Sequence, residues 1–117
     1  MVWGGNGDEL SAARRFAQDW ERQEFAAMYG EISPQAAKRY SLAEFTDHYG
    51  TAQETATVTR VTTGDPSEAE SGGERVAVVP VSLETHAFGQ ISGRLLLPLA
   101  GDRIAWSEHL VFPGLGP

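Results

Sequence analysis

The sequence predicts an α+β domain, with helices in the first half packed on a curved antiparallel sheet formed by the second. Three observations carry this. Apolar residues recur at helical spacing up to about residue 53. The period changes near Thr55, where β-branched residues become dense. Beyond it, two-residue alternation returns between turn residues and continues to the last strand.

The elements follow in order. "GGNG" at 4–7 reads as a flexible leader; no strand precedes it, so it is not a dinucleotide fingerprint. Asp8 caps a helix over about 8–21, whose apolar positions are Leu10, Ala13, Phe16, Ala17 and Trp20. Phe25, Met28, Tyr29 and Ile32 then fall at i, i+3, i+4 and i+7. Ser33 and Pro34 suit an N-cap and a first helical position, and the turn "PQAAKRY" follows. "SLAE" at 41–44 is a capping box opening a helix with Leu42, Phe45, Tyr49 and Ala52 on its apolar face. Gly50 weakens that helix or ends it early.

"TATVTRVTT", 55–63, reads as a strand, and "GDPSEAESGG", 64–73, as an exposed loop. In "RVAVVPVSLET", Val79, Val81 and Leu83 alternate with Pro80, Ser82 and Glu84, and Pro80 argues for an edge or a bulge. Gly89 marks a turn. Ile91, Leu95, Leu97 and Leu99 alternate again, and "AGDR" turns the chain into a last strand, "IAWSEHLVF", which completes a meander. A long twisted sheet of this kind curls around its helices and can leave an apolar pocket at its open end.

The chain has 117 residues, enough for one core. Cysteine is absent, which removes disulfides, thiolate nucleophiles and thiolate metal sites. The net charge of −7 disfavours nucleic acid and anionic membrane surfaces as partners. No apolar run is long enough to span a bilayer, so no membrane insertion by this segment is expected.

Candidate chemistry is sparse. A serine acyl-enzyme needs a serine three residues before a lysine; the sole lysine is Lys38, and Gln35 stands at that place. His48, His86 and His109 lie far apart without ligand spacing, so no metal or other cofactor is expected. "DWERQE" carries Asp19, Glu21 and Glu24, which suit either an acid/base pair beside Trp20 or a solvated helix end paired through Arg22; the second reading is preferred. Trp20, Tyr29, Tyr49 and Trp106 are cavity or core candidates, and their spacing favours core.

The end, "RIAWSEHLVFPGLGP", is unusual for a free terminus, because apolar residues crowd into it and two prolines and two glycines close it. It reads as the exit of one domain into the rest of a longer protein.

Here the layout meets a known pattern. "AARRFAQDWERQEFAAMYGEIS", "SLAEFTDHYG", "VPVSLETHAFGQISGRLLLPL" and "IAWSEHLVFPGL" together resemble the N-terminal domain of MecA-type class B penicillin-binding proteins. That resemblance covers most of the chain, and the closing segment is its most specific part. It implies a cone-shaped nuclear-transport-factor-2-like fold over 8–112, with 1–7 as leader and 113–117 as exit linker toward a C-terminal transpeptidase domain. It further implies a non-catalytic spacer and interaction domain in peptidoglycan synthesis, extracytoplasmic and membrane-anchored through the parent protein. The implied partners are the transpeptidase domain of the same chain and peptidoglycan or other cell-wall proteins. Leu110, Phe112, Pro113 and Leu115 would then be interdomain contacts. The alternative is a small isomerase or dehydratase of the ketosteroid-isomerase type, with Asp19, Glu84 or His86 inside an apolar cavity.

Overall fold

The computed structural model describes residues 4–111. Four helices come first: α1 (Gly4–Glu21), α2 (Phe25–Tyr29), α3 (Pro34–Arg39) and α4 (Leu42–Thr55). Five strands follow: β1 (Val58–Thr63), β2 (Ser67–Ser71), β3 (Glu74–Thr85), β4 (Gly89–Ala100) and β5 (Arg103–Ile104). A 3-10 turn, Glu108–Leu110, comes after them. The class is α+β, with the helices on a curled antiparallel half-barrel sheet.

The helices form where capping and periodicity direct them. α1 buries Ala12, Ala13, Phe16, Ala17 and Trp20 along one face. It begins at Gly4, so "GGNG", read from sequence as leader, is helical backbone. Glycine costs about 1 kcal/mol per residue against alanine in a helix, which lowers its propensity without forbidding the turn. Ser33 caps α3 by accepting from the Ala36 N–H at 3.2 Å, with Pro34 at the first helical position. The capping box of α4 is complete: Ser41 Oγ accepts from Glu44 N–H at 3.1 Å, and Glu44 accepts from Ser41 N–H at 2.9 Å. Gly50 does not end α4, which runs on to Thr55; the position is exposed and only weakens the propensity. Phe45 and Tyr49 are fully buried, but Leu42, expected on the same apolar face, is 41% exposed.

Three strand expectations need correction. First, β1 starts at Val58, because Thr55 closes α4 and Thr57 takes φ 55°, turning the chain into the sheet. Second, 64–73 is not all loop. Ser67–Ser71 forms β2, paired with β3 from Ser67 opposite Val78 to Ser71 opposite Glu74. Only Ala69 in it is even half-buried, so no hydrophobic alternation marks it. Its signal was the glycine pair: Gly72 and Gly73 have φ of 61° and 83°, and positive φ at both central residues is what a tight hairpin turn requires. Third, the closing strand has only two residues, Arg103 and Ile104. Trp106 leaves the ladder to bury its indole among the helices.

The sheet order is β1-β3-β4-β5, with β2 also beside β3. β1 faces Val81–Thr85 and β2 faces Glu74–Val78, so they share one edge of β3 in succession. Pro80 falls in the gap between them. Its carbonyl accepts from Gly64 N–H at 2.9 Å, and its missing N–H faces the place where neither strand pairs. Thus a proline sits inside the longest hairpin without breaking a ladder. Val79, Val81, Leu83, Leu95 and Leu97 line the inner face and meet the helices.

Candidate functional site

The interior of the curled sheet is the first place to seek chemistry. Aromatic side chains fill it. Trp20, Tyr49 and Trp106 are 1%, 0% and 3% exposed, and Tyr29 is half-buried. Phe45 lies centrally, 4.6 Å from Trp106, 5.1 Å from Tyr49 and 5.5 Å from Tyr29 between ring centres. Offset and edge-on contacts of this kind each add about 0.5–1.5 kcal/mol beyond the area they bury. Polar ends within the cluster are satisfied. Trp106 Nε1 donates to Tyr49 Oη at 3.0 Å, and Trp20 Nε1 donates to Gln53 Oε1 at 3.0 Å. Tyr29 Oη donates to the Tyr40 carbonyl at 2.6 Å. Burial pushes the Tyr49 phenol well above its ordinary range, and the Trp106 bond offsets only part of that. Tyr49 is a packed hydrogen-bond acceptor and not a proton shuttle.

The ionisable candidates do not converge on this interior. Glu84 and His86 are exposed, on β3 and in the β3–β4 turn. Asp19 is half-buried on α1; desolvation raises its carboxyl pKa first, and the neighbouring charges of Glu24 and Glu31 raise it further. Arg22 lowers it in turn, but the ion pair nearby is Arg15 with Glu31, at 3.0 Å. Lys38 is exposed on α3, and the two nearest serines in sequence, Ser41 and Ser33, have their hydroxyls engaged as helix caps. His109 is exposed, and His48 rests edge-on to Tyr40, 3.8 Å from Glu108. Among the described residues no group of three His, Asp or Glu could hold a metal ion.

The closing segment, residues 103–111, is the more distinctive feature. Ile104 is fastened on both sides: its N–H donates to the Glu31 carbonyl at 2.9 Å, and its carbonyl accepts from Ser33 N–H at 2.8 Å. This makes a parallel bridge to Ile32. Ala105 N–H bonds the Pro98 carbonyl at 2.9 Å, and Arg103 reaches the Gly30 carbonyl. Leu110 and Val111 pack, partly buried, against the core. Phe112, Pro113 and Leu115, expected as interdomain contacts, lie outside the described residues.

Sequence reasoning missed one long-range tie. Glu21, at the end of α1, accepts from both the N–H and the hydroxyl of Thr63. Nothing local announces a contact across 42 residues. Beside it lies a polar cleft of about 250 Å³, lined by Glu21, Gln23, Gln53 and residues 58–61 of β1.

A filled aromatic interior, a half-barrel sheet and a fastened closing segment are the features to be set beside known proteins. No curated protein matches the chain. The family model described as the NTF2-like N-terminal transpeptidase domain, MecA_N, matches residues 9–117, and the chain belongs to that family.

Proposed function

We propose that this domain is a non-catalytic spacer and interaction module of a penicillin-binding protein, positioning a transpeptidase domain that follows it during peptidoglycan synthesis. The observation that carries the reading is the fastening of residues 103–106. Ile104 is held by α2–α3 linker backbone on one side and leads to the β4-bonded Ala105 on the other, with Trp106 locked into the core. A chain leaving the domain this way keeps a fixed direction, which is what a spacer needs. Family membership supports an extracytoplasmic setting, and membrane anchoring of the parent protein is part of the proposal.

The interior supports the same reading. An isomerase of this fold class needs an ionisable group inside an apolar cavity. Here Trp20, Phe45, Tyr49 and Trp106 occupy the corresponding space, while Glu84 and His86 are on the surface.

Two measurements test the proposal. The 117-residue chain is incubated with a fluorescent penicillin and read by denaturing gel and intact mass; no covalent adduct is expected, and a stoichiometric mass increase would overturn it. In the parent protein, two glycines inserted after Trp106 should reduce peptidoglycan cross-linking while leaving penicillin acylation intact. Unchanged cross-linking would contradict a positioning role.

A further inference from the structure

β4 borders the sheet, and most of its outer edge is bare. β5 covers it only at Leu99 and Ala100, and Ala105 adds a bond to the Pro98 carbonyl. Two observations give the direction of the remaining main-chain groups. Pro98 turns its carbonyl outward, to Ala105, and Pro80, which stands opposite Arg94, turns its carbonyl away from β4, to Gly64. The β3–β4 register runs unbroken from Val76 opposite Pro98 to Thr85 opposite Gly89. Alternate residues of an antiparallel ladder point the same way, so Gln90, Ser92, Arg94 and Leu96 all aim their N–H and C=O outward. All four residues are exposed, and among the described residues none of these main-chain groups has a partner.

Edges of this length are normally guarded by a bulge, a proline or charges. Here no bulge interrupts β4, Pro98 lies beyond the open stretch, and Arg94 is the one charged residue within 90–96. Leu96 is 42% exposed beside it. The stretch also fits itself. Run antiparallel against its own copy, 90–96 has one register that pairs all four outward residues, and its two-fold axis passes at Gly93. Gln90 then meets Leu96 of the other copy and Ser92 meets Arg94, exchanging about eight main-chain bonds in all. Ile91 meets Leu95 on the face toward the helices, and Arg94 does not stand opposite its own counterpart. At the axis, a pair without hydrogen bonds brings the Cα atoms to about 4.5 Å, and glycine leaves no side chains to collide there.

We propose that β4 is a self-association edge: two copies of this chain pair antiparallel along 90–96 about a two-fold axis at Gly93, joining their sheets. The match of this stretch with its own reverse makes a second copy the occupant that fits it. The contact is one strand wide, well under the area of about 800 Å² per partner found in stable complexes. Each copy also carries a net charge of −7, so the dimer is weak and strengthens with salt. The inference rests on the β4 edge and does not depend on the spacer role.

The test is sedimentation equilibrium and NMR of the 117-residue chain between about 0.05 and about 2 mM, where a dimer with a Kd of about 1 mM is expected. Association should tighten several-fold between about 0.05 M and about 0.5 M sodium chloride. With rising concentration, the Gln90, Ser92, Arg94 and Leu96 amides should shift more than those of Ile91, Gly93 and Leu95. A mixture of labelled and unlabelled copies should show a contact between Gly93 α-protons of different copies. Arg94→Pro removes one outward N–H without touching the β3–β4 ladder, and should weaken association at least about tenfold. Thermal unfolding checks that this variant is folded, and the arms on the unaltered chain need no variant. A monomer at every concentration and salt would overturn the proposal. So would a dimer that lacks the Gly93 contact, or a folded Arg94→Pro that associates undiminished.

Discussion

Two short pieces of chain flank the long β3–β4 hairpin, and they are held by different means. On one side, β2 pairs five residues with β3 but buries little. On the other, β5 pairs only two residues with β4, yet it leads into a segment tied to three elements. Ladder length is therefore a poor guide to how firmly a strand is held. What distinguishes β5 is the apolar burial at Ile104 and Trp106, both almost inaccessible to solvent. Burial of large apolar side chains is worth about 1.5–3 kcal/mol each, whereas an exposed backbone bond nets about 1 kcal/mol after competition with water. The packing is concentrated on the closing segment.

Substitutions can break or sharpen this contrast. The largest effect is expected from Trp106→Ala, which removes the ring packed against Tyr40, Phe45 and Tyr49 and should cost about 3–5 kcal/mol in denaturant unfolding. A loss no larger than that of an ordinary surface change would mean that the closing segment is not part of the core. Tyr49→Phe removes the acceptor for Trp106 Nε1 and leaves a buried donor unpaired, for a loss of about 1–3 kcal/mol. On the β2 side, Gly73→Ala forces a side chain to φ 83°, and about 1–2 kcal/mol is expected, confined to the hairpin. Amide chemical shifts should move in β2 and the first half of β3 and remain fixed at Ile104.

The smallest effect involves Asp19, which feels Glu31, the residue whose carbonyl holds Ile104. Its folded pKa lies above its ordinary value of 3.8, so the folded state prefers the protonated form. Stability from this group is present below that value and is lost as pH rises through the folded pKa. Asp19→Asn should therefore stabilise the protein slightly at neutral pH and flatten its pH dependence in the carboxylate range. A variant less stable at neutral pH than the parent would reverse the sign of this argument.

The same contrast explains what could be read from sequence. The capping box at Ser41 and Glu44, the N-cap at Ser33 and the alternation of Val79, Val81 and Leu83 are local signals, and each sets a local structure. The resemblance of the closing segment then led to the family, which the match over residues 9–117 bears out. β2 was illegible because a strand with almost nothing to bury writes no pattern; only the glycine pair betrayed it. The closing strand was overestimated for the opposite reason. Trp106, Leu110 and Val111 are apolar because they meet the helices and core, not because they alternate across a sheet. The cleft at β1 was invisible because Glu21 and Thr63 meet only through the tertiary fold.

Native-state hydrogen exchange tests the central claim, that the closing segment is locked to the core. The decisive amides are Ser33 and Ile104, which bond each other's strand and linker, compared with the slowest amide of β2. The account predicts that Ser33 and Ile104 exchange only through global unfolding, at least about tenfold more slowly than any β2 amide, which opens locally. Exchange at Ile104 as fast as that in β2 would show that the closing segment is not fastened, and the proposed positioning role would lose its physical basis.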